Sequence, residues 1–178
     1  MKAKSIGRCN TNISTMKRNK KYGIIDIGSN SVRGRAFADG KIIYNDLFTT
    51  RLGSGLANGS ALTEKSMQDT VKAIKNLVGG FKKAEVGEIY AFATEAVRSA
   101  TNGKNFVGLV KNETGIDVDV VNGDEEGELA LLGAVGMDDG GVIDIGGASA
   151  EISVVKSGKI IYSHSLPLGA VRLYGKCG

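Results

Sequence analysis

The chain has 178 residues, enough for one domain or two small lobes, and its 42% hydrophobic and 24% charged residues are typical of a globular protein with a buried core. Aromatic residues make up only 6% and Trp is absent, which disfavours stacking on nucleic-acid bases. The net charge of +4 comes from residues 1–21, which contain seven Lys and Arg residues and no acid. We expect this segment to be a disordered tail, with Met16 as a candidate natural start.

The cysteine and histidine content excludes several kinds of site. Cys9 and Cys177 lie near opposite ends of the chain, and no metal-ligand spacing involves them. His164 is the only histidine, and a lone histidine in an apolar stretch is usually structural. The sequence contains no signal peptide and no apolar run long enough to cross a membrane. These observations predict a cytoplasmic protein that has neither a membrane nor a nucleic acid as partner.

The first part of the chain predicts a strand meander followed by alternating helices and strands. A buried strand from Tyr22 ends at Asp26, where a turn with the sequence Asp-Ile-Gly-Ser-Asn-Ser begins. Asp39-Gly40 is a hairpin signal, residues 52–56 form a glycine-rich loop, and Thr63 is a candidate N-cap for a helix of about 20 residues. Further strands are predicted at 32–38, 41–49, 88–93 and 116–121, and further helices at 104–114 and 124–135.

The opening pattern returns near the end of the chain. Ile-Asp-Ile-Gly-Gly-Ala-Ser-Ala around Asp144 matches Ile-Asp-Ile-Gly-Ser-Asn-Ser-Val around Asp26, which lies 118 residues earlier. Strands are predicted at 141–144, 150–156 and 159–166, with a hairpin turn at Ser157-Gly158. A period of this length is too long for a solenoid and indicates a duplicated lobe. We predict one complete lobe at 22–136 and the opening three strands of a second lobe at 137–178.

The two repeated turns predict a phosphate site. Glycine permits a tight turn and lets backbone N–H groups approach an anion, and short polar side chains add hydrogen-bond donors. Two matching turns at the starts of two matching lobes would hold one phosphate from both sides of a cleft. The candidate phosphate-binding residues in these turns are Gly28, Ser29, Asn30, Ser31, Gly146, Gly147, Ala148 and Ser149.

Carboxylates accompany both turns. Asp26 and Asp144 would repel a phosphate unless a cation lies between them, and Mg²⁺, or Mn²⁺ in its place, is a hard ion that takes oxygen ligands and bridges phosphates. In the acidic run 122–128, the residues either favour a helix N-terminus or include one Glu that activates a water. Arg98, which follows a predicted strand, either binds phosphate through its fork of donors or forms a surface salt bridge.

Four segments between residues 22 and 173 resemble the exopolyphosphatase and guanosine pentaphosphate phosphohydrolase family. They are Asp-Ile-Gly-Ser-Asn-Ser, Ala-Thr-Glu-Ala-Val-Arg, Glu-Glu-Gly and Val-Ile-Asp-Ile-Gly-Gly-Ala-Ser-Ala-Glu, in that order. The resemblance implies an α/β fold of the actin-like ATPase (ribonuclease H-like) type and Mg²⁺-dependent release of a terminal phosphate between two lobes. It also implies Glu126 as the base that activates water, Asp144 and Glu151 as metal-associated carboxylates, and Arg98 as a phosphate contact.

Two departures from the family pattern bear on activity. The chain has Gly127-Glu128 where the resemblance leads us to expect Ala-Arg, and its second lobe ends early, near Gly178. The predicted substrate is polyphosphate or guanosine pentaphosphate, and the shortened lobe predicts homo-oligomers. Alternative functions are an actin-like ATPase or acetate-type kinase and a non-catalytic phosphate- or alarmone-binding fragment.

Overall fold

The computed structural model describes residues 2–3, 20–57 and 59–177. Most of the predicted disordered tail at residues 1–21, including Cys9, lies outside these described residues. The described residues of the tail include a first strand, β1 (Lys2–Ala3), which pairs in parallel with the strand at Glu88–Ala93. In the described part of the chain, no helix is long and apolar enough to cross a membrane.

The first lobe is built on a mixed sheet. Its strands, besides β1, are β2 (Tyr22–Ile27), β3 (Ser31–Ala38), β4 (Lys41–Thr49), β5 (Glu88–Ala93) and β6 (Asp119–Val120). The strands β2, β3 and β4 form an antiparallel meander, and β2 also pairs in parallel with β5. The order of strands across the sheet is therefore β1-β5-β2-β3-β4, with β6 beside β5. The predicted meander is therefore present, with the Asp26 turn at the end of β2.

Helices cover this sheet. Thr63 caps the first of them, accepting a hydrogen bond from the Ser66 backbone N–H at 3.1 Å, as predicted. Apolar side chains of β2 and of two helices form a core in which Ile25, Leu77 and Phe106 have no exposed surface. The helices are α1 (Glu64–Lys83), α2 (Glu95–Ser99) and α3 (Gly103–Thr114), and Gly115 ends α3 in the left-handed region at φ 74°.

The second sheet is a smaller meander with one covered face. Its strands β7 (Gly140–Ile145), β8 (Ala150–Lys156) and β9 (Lys159–Leu166) pair antiparallel in that order, as predicted. Helix α4 (Gly123–Ala134) packs on the face that carries Glu151 and Ser153. Helix α5 (Ala170–Cys177) follows β9. By its packing α4 belongs with the second sheet, whereas the predicted boundary at residue 136 assigned it to the first lobe.

Glycine explains how α4 fits so closely on a polar sheet face. A methyl group added at Gly127 would lie 2.7 Å from Ser153 Oγ and 2.9 Å from Ser163 Oγ, and one added at Gly123 would collide with Ser165. Gly127, one of the departures from the family pattern, therefore stands where this packing leaves little room for a side chain. Glu128, the other, is exposed.

The duplication extends to details of the backbone. Asp39 and Gly40 have φ of 49° and 76°, and the residues 118 positions later, Ser157 and Gly158, have 52° and 68°. The β3–β4 pairing shifts register after Ala36, and the β8–β9 pairing shifts at the corresponding position. The two hairpins thus share their turns and their bulges as well as their sequence pattern.

Four segments differ from the predictions. The predicted loop at 52–56 is a 3₁₀ helix (Leu52–Ala57), and α2 and α5 were not predicted. In the predicted strand at 116–121, only Asp119–Val120 is paired with β5. The alternating apolar residues there do pack inward, because Ile116 and Val118 are buried, but they do so mostly from unpaired extended backbone.

Candidate active site

The two repeated turns have the same hydrogen-bonded geometry. In the first turn, residues 28–31, the Gly28 N–H donates to the Ser31 carbonyl at 3.0 Å. In the second turn, residues 146–149, the Gly146 N–H donates to the Ser149 carbonyl at 2.9 Å. A Cβ at either glycine would lie close to the acceptor oxygen, at 3.1 Å and 3.3 Å respectively, so each turn favours a residue without Cβ.

The two turns face each other across a cleft between the lobes. A methyl group added at Gly147 would lie 3.2 Å from the Ser29 Cβ and 3.6 Å from the Asn30 Cβ. The cleft has a volume of about 320 Å³. Its lining consists of Asp26, Gly28, Ser29, Asn30, Ser31, Arg33, Thr94, Glu126, Asp144, Ile145, Gly146, Gly147, Ala148 and Ser149. All eight predicted phosphate-binding residues of the turns are therefore brought together.

Glu126 is the acidic residue of α4 that enters the cleft. Its neighbour Glu125 is used in a capping box, in which it accepts from the Asn122 N–H at 2.9 Å while Asn122 caps the Glu125 N–H. The Glu126 side chain is 19% exposed. Burial raises its pKa to about 7, the Glu151 carboxylate adds to the rise, and Arg98 opposes it. A carboxyl with such a pKa can exchange protons near neutral pH.

Asp26 and Asp144 line the cleft beside their turns. Burial raises the pKa of the Asp26 carboxyl, and the nearby Asp144 adds to this rise, whereas the Arg33 guanidinium lowers it. Asp144 is exposed at the other side of the cleft. The mutual repulsion of these two carboxylates marks a place where a cation would be favoured.

Glu151 lies behind the cleft lining, between the second sheet and α4. Its side chain is buried, with 2% exposure, and Ser165 Oγ donates to its Oε1 at 2.7 Å. It pairs across the strands with Asp144 in the β7–β8 ladder. Its charge contributes to the raised pKa of Glu126, so the two carboxylates are close enough to interact.

Arg98 contacts Glu126 from beside the cleft lining. Its Nη1 donates to the Val121 carbonyl at 2.5 Å and to Glu126 Oε2 at 3.3 Å, and its Nη2 donates to Glu95 Oε2 at 2.6 Å. It is therefore placed beside Glu126 and is not among the residues that line the cleft. Its predicted contact with phosphate stays a prediction.

The oxygen donors are compatible with Mg²⁺. Among the described residues, no three His, Cys, Asp or Glu side chains are grouped so as to hold a metal ion by themselves. Mg²⁺, however, usually keeps several waters and is bound through one or two carboxylates together with substrate phosphates. Asp26 and Asp144, which line the cleft beside the phosphate turns, fit that arrangement, with Glu151 behind them.

Three residues of the cleft lining, Arg33, Thr94 and Ile145, were not predicted from the sequence. Thr94 follows β5, and Arg33 is the cross-strand partner of Asp26 in the β2–β3 ladder. Aligning the two repeats would have revealed Arg33, because it occupies the position that Glu151 occupies in the second copy. The duplicated ladder thus carries a cation in one lobe and a carboxylate in the other.

Known structures define the class of fold. The structure resembles the ethanolamine utilization protein EutJ from Carboxydothermus hydrogenoformans, with a TM-score of 0.57 and 18% identity over 84% of this chain and 52% of that one. It also resembles MreB5 of Spiroplasma citri, with a TM-score of 0.50 and 14% identity over 86% of this chain and 54% of that one. The chain has the actin-like ATPase fold, as predicted.

More similar structures come from a single family. An exopolyphosphatase from Cytophaga hutchinsonii superimposes with a TM-score of 0.81 and 28% identity, covering 88% of this chain and 53% of that one. The Ppx/GppA family member from Aquifex aeolicus superimposes with a TM-score of 0.73 and 34% identity, covering 86% of this chain and 53% of that one. Both superpositions cover most of this chain and about half of the other.

Proteins of similar sequence point to the same family. The bifunctional 3-dehydroquinate synthase/phosphatase of Fusobacterium nucleatum is 31% identical in an alignment of 181 positions that covers 92% of this chain and 27% of that protein. Exopolyphosphatase 1 of Mycobacterium tuberculosis is 28% identical in an alignment of 163 positions that covers 86% of this chain and 47% of that protein. Residues 33–177 match the Ppx/GppA phosphatase family, and the chain belongs to it. It spans about half the length, or less, of these relatives.

Proposed function

We propose that the chain carries the phosphate-gripping part of a phosphohydrolase that removes a terminal phosphate from inorganic polyphosphate or guanosine pentaphosphate. The observation that carries the proposal is the pair of matching turns that face each other with Glu126 between them. Both turns line the same cleft with short polar side chains, and turns of this kind bind phosphate through such side chains and backbone N–H groups. The names of the exopolyphosphatase relatives support this substrate class.

In the proposed reaction, a water attacks the terminal phosphorus in line with the oxygen that leaves, and Glu126 takes the proton from that water. Arg98 is placed to orient the Glu126 carboxylate, since its Nη1 lies 3.3 Å from Glu126 Oε2. The turns hold the phosphate oxygens while charge redistributes over them. Positioning and charge stabilisation provide most of the rate enhancement in such reactions.

Asp144 and Glu151, together with Asp26, are the residues that would hold Mg²⁺ or Mn²⁺. When bound, the ion would neutralise the negative charge of the phosphates beside these carboxylates. Ser165 fixes the Glu151 carboxylate through its 2.7 Å hydrogen bond, so the donor is oriented before any ion arrives.

Phosphate release from equal concentrations of polyphosphate and guanosine pentaphosphate tests the proposal. Glu126→Gln keeps the shape of the side chain and removes the base, so we expect release to fall by about 10²–10⁴-fold while phosphate binding and folding persist. Wild-type turnover in this variant would refute the role of Glu126. If neither substrate is hydrolysed but both bind, the chain acts as a binding fragment.

A further inference from the structure

Glu95 occupies a position between the two lobes that the proposed reaction does not yet use. It is the first residue of α2, directly after Thr94, which lines the cleft. Its Oε2 accepts a hydrogen bond from Arg98 Nη2 at 2.6 Å, and its Oε1 accepts from Arg172 Nη2 at 3.1 Å. Each carboxylate oxygen therefore binds a different arginine, one from each lobe.

The arginine on the first-lobe side is the one that contacts Glu126. The guanidinium of Arg98 is held at three points, by the Val121 carbonyl, by Glu95 and by Glu126. The contact with Glu126 is the longest of the three, at 3.3 Å. The direction in which Arg98 approaches Glu126 is thus set by its other two partners.

The arginine on the second-lobe side belongs to a helix attached to the second turn. The N–H groups of Val171 and Arg172 both donate to the Gly147 carbonyl, at 2.8 Å and 3.1 Å, and the Ala170 N–H donates to the Gly146 carbonyl at 3.0 Å. The start of α5 is therefore hydrogen-bonded directly to the second turn. Through Arg172, Glu95 links α2 of the first lobe to that turn.

The network is more enclosed than an ordinary surface ion pair. The side chains of Glu95, Arg98 and Arg172 are 16%, 23% and 23% exposed. Isolated exposed pairs contribute little, but a partly buried carboxylate shared by two guanidinium groups restricts the geometry of both. Without the Glu95 charge, the two arginines would be left with like charges facing the same space.

We propose that Glu95 is a positioning residue for the proposed hydrolysis, because its carboxylate fixes Arg98 in the orientation that contacts Glu126 and makes that orientation depend on α5 through Arg172. This inference rests on the proposed function for its catalytic consequence. Its geometric part concerns only the protein and can be measured without substrate.

Two variants and one matched control test it. Glu95→Gln removes the shared charge, and Arg172→Gln removes only the link to the second lobe. Asp117→Asn is the control, since it breaks an ion pair of similar length, 2.7 Å, between Lys111 and Asp117 at the surface. The first readout is the NMR signals of the guanidinium groups in the full chain, assigned through Arg98→Lys and Arg172→Lys. The second is the separation of kcat from KM with polyphosphate.

We expect Glu95→Gln to broaden the guanidinium signals of both arginines and to lower kcat by about 10–100-fold, with KM changed by less than about threefold because the two turns are untouched. Arg172→Gln should shift the Arg98 signals in the same direction by a smaller amount. Asp117→Asn should change neither the signals nor kcat.

Unchanged Arg98 signals in Glu95→Gln would overturn the proposal, and so would a loss of activity that only follows the fraction of unfolded protein. If the wild-type chain hydrolyses neither substrate, the proposed function fails, but the NMR readout still decides whether Glu95 positions Arg98. If Glu95→Gln does not fold, the Arg98 signals in Arg172→Gln decide the same question, because the link through α5 predicts that they move.

Discussion

Individual carboxylates of the cleft differ in their surroundings, and these surroundings suggest different roles. Glu126 is mostly buried, lies near Glu151, and has a pKa of about 7. Glu151 is buried and held by Ser165, whereas Asp144 is exposed at the cleft surface. A proton acceptor needs a pKa near the working pH, which fits Glu126. A metal ligand needs a fixed orientation, which the Ser165 hydrogen bond gives to Glu151, and access to the cleft, which Asp144 has.

The raised pKa of Glu126 predicts a pH-dependent cost in stability. Its ordinary pKa is 4.5, so between pH 4.5 and about 7 the folded chain keeps a proton that the unfolded chain has lost. The cost therefore grows as the pH rises through this window and is complete above it. Glu151, Arg98 and Asp26 are the charged groups that act on Glu126.

We therefore expect Glu126→Gln to stabilise the chain at pH 8 by about 1–3 kcal/mol relative to its effect at pH 4.5, where Glu126 is protonated in the folded chain and about half protonated in the unfolded chain. Urea unfolding of the wild type and the variant at both pH values, in the presence of a chelator, measures the difference. Equal effects at the two pH values would mean that the Glu126 carboxyl has an ordinary pKa in the folded chain.

Removing divalent cations should abolish the proposed hydrolysis. Asp144 and Asp26 face a polyanion site, and without a cation their charges oppose phosphate binding. Exhaustive chelation should remove turnover, and added Mg²⁺ or Mn²⁺ should restore it. Asp144→Asn should raise the Mg²⁺ concentration needed for half-maximal rate, and turnover that survives chelation undiminished would contradict the assignment of these residues to a metal.

At the scale of elements, sequence patterns predicted the strands and turns well because these have strong local signals. The hairpins at Asp39-Gly40 and Ser157-Gly158 need residues that accept positive φ, and α1 has a regular apolar face and a capping Thr63. The short helix α2 is held by long-range contacts, including the hydrogen bond from Arg98 to the Val121 carbonyl and the one from Arg172 to Glu95, and such contacts leave no periodic signal.

The candidate active site, like the secondary structure, was predicted from the sequence in part. The turns and Glu126 were found through the repeat and the family motifs, and the structure brings them together in one cleft. The side chain of Arg98 could not be placed from sequence, because its direction depends on Val121 and Glu126, which lie more than 20 residues away along the chain. Long-range contacts of this kind also determine which face of the second sheet α4 covers.

Helix α4 offers a matched pair of glycine substitutions. A methyl group at Gly123 would collide with Ser165, whereas one at Gly133 meets no atom within 4 Å. We expect Gly123→Ala to destabilise the chain by about 1–3 kcal/mol. Gly133→Ala should be neutral or should stabilise the chain by about 0.5–1 kcal/mol, because alanine loses less backbone entropy in a helix. Denaturant unfolding measures the stability of both variants, and equal stabilities would show that α4 does not pack closely on β9.

At the scale of the whole molecule, the second sheet has one covered and one open face. Helix α4 covers the face with Glu151 and Ser153. On the opposite face, Ile143, Ile145 and Tyr162 are 68%, 70% and 50% exposed. Among the described residues, β7 is also an edge strand of the second sheet, whereas its counterpart in the first lobe, β2, pairs in parallel with β5.

An open apolar face beside an exposed strand edge favours association. We expect the 178-residue chain to self-associate, and Ile143→Thr together with Ile145→Thr to weaken that association. Sedimentation equilibrium over a wide concentration range measures it. Ile42→Thr is the control, since Ile42 is also exposed, at 54%, but lies on β4 of the other sheet. A wild-type chain that stays monomeric throughout would refute the prediction.

The exchange of Arg33 for Glu151 at the same ladder position breaks the symmetry of the duplicated frame. Two identical half-sites would accept a linear chain of phosphates equally well in either direction. With a cation on one side and carboxylates on the other, the two directions differ in energy. The reversal of charge therefore gives the cleft a polarity, and in the proposed hydrolysis that polarity would fix the side from which a chain of phosphates enters the cleft.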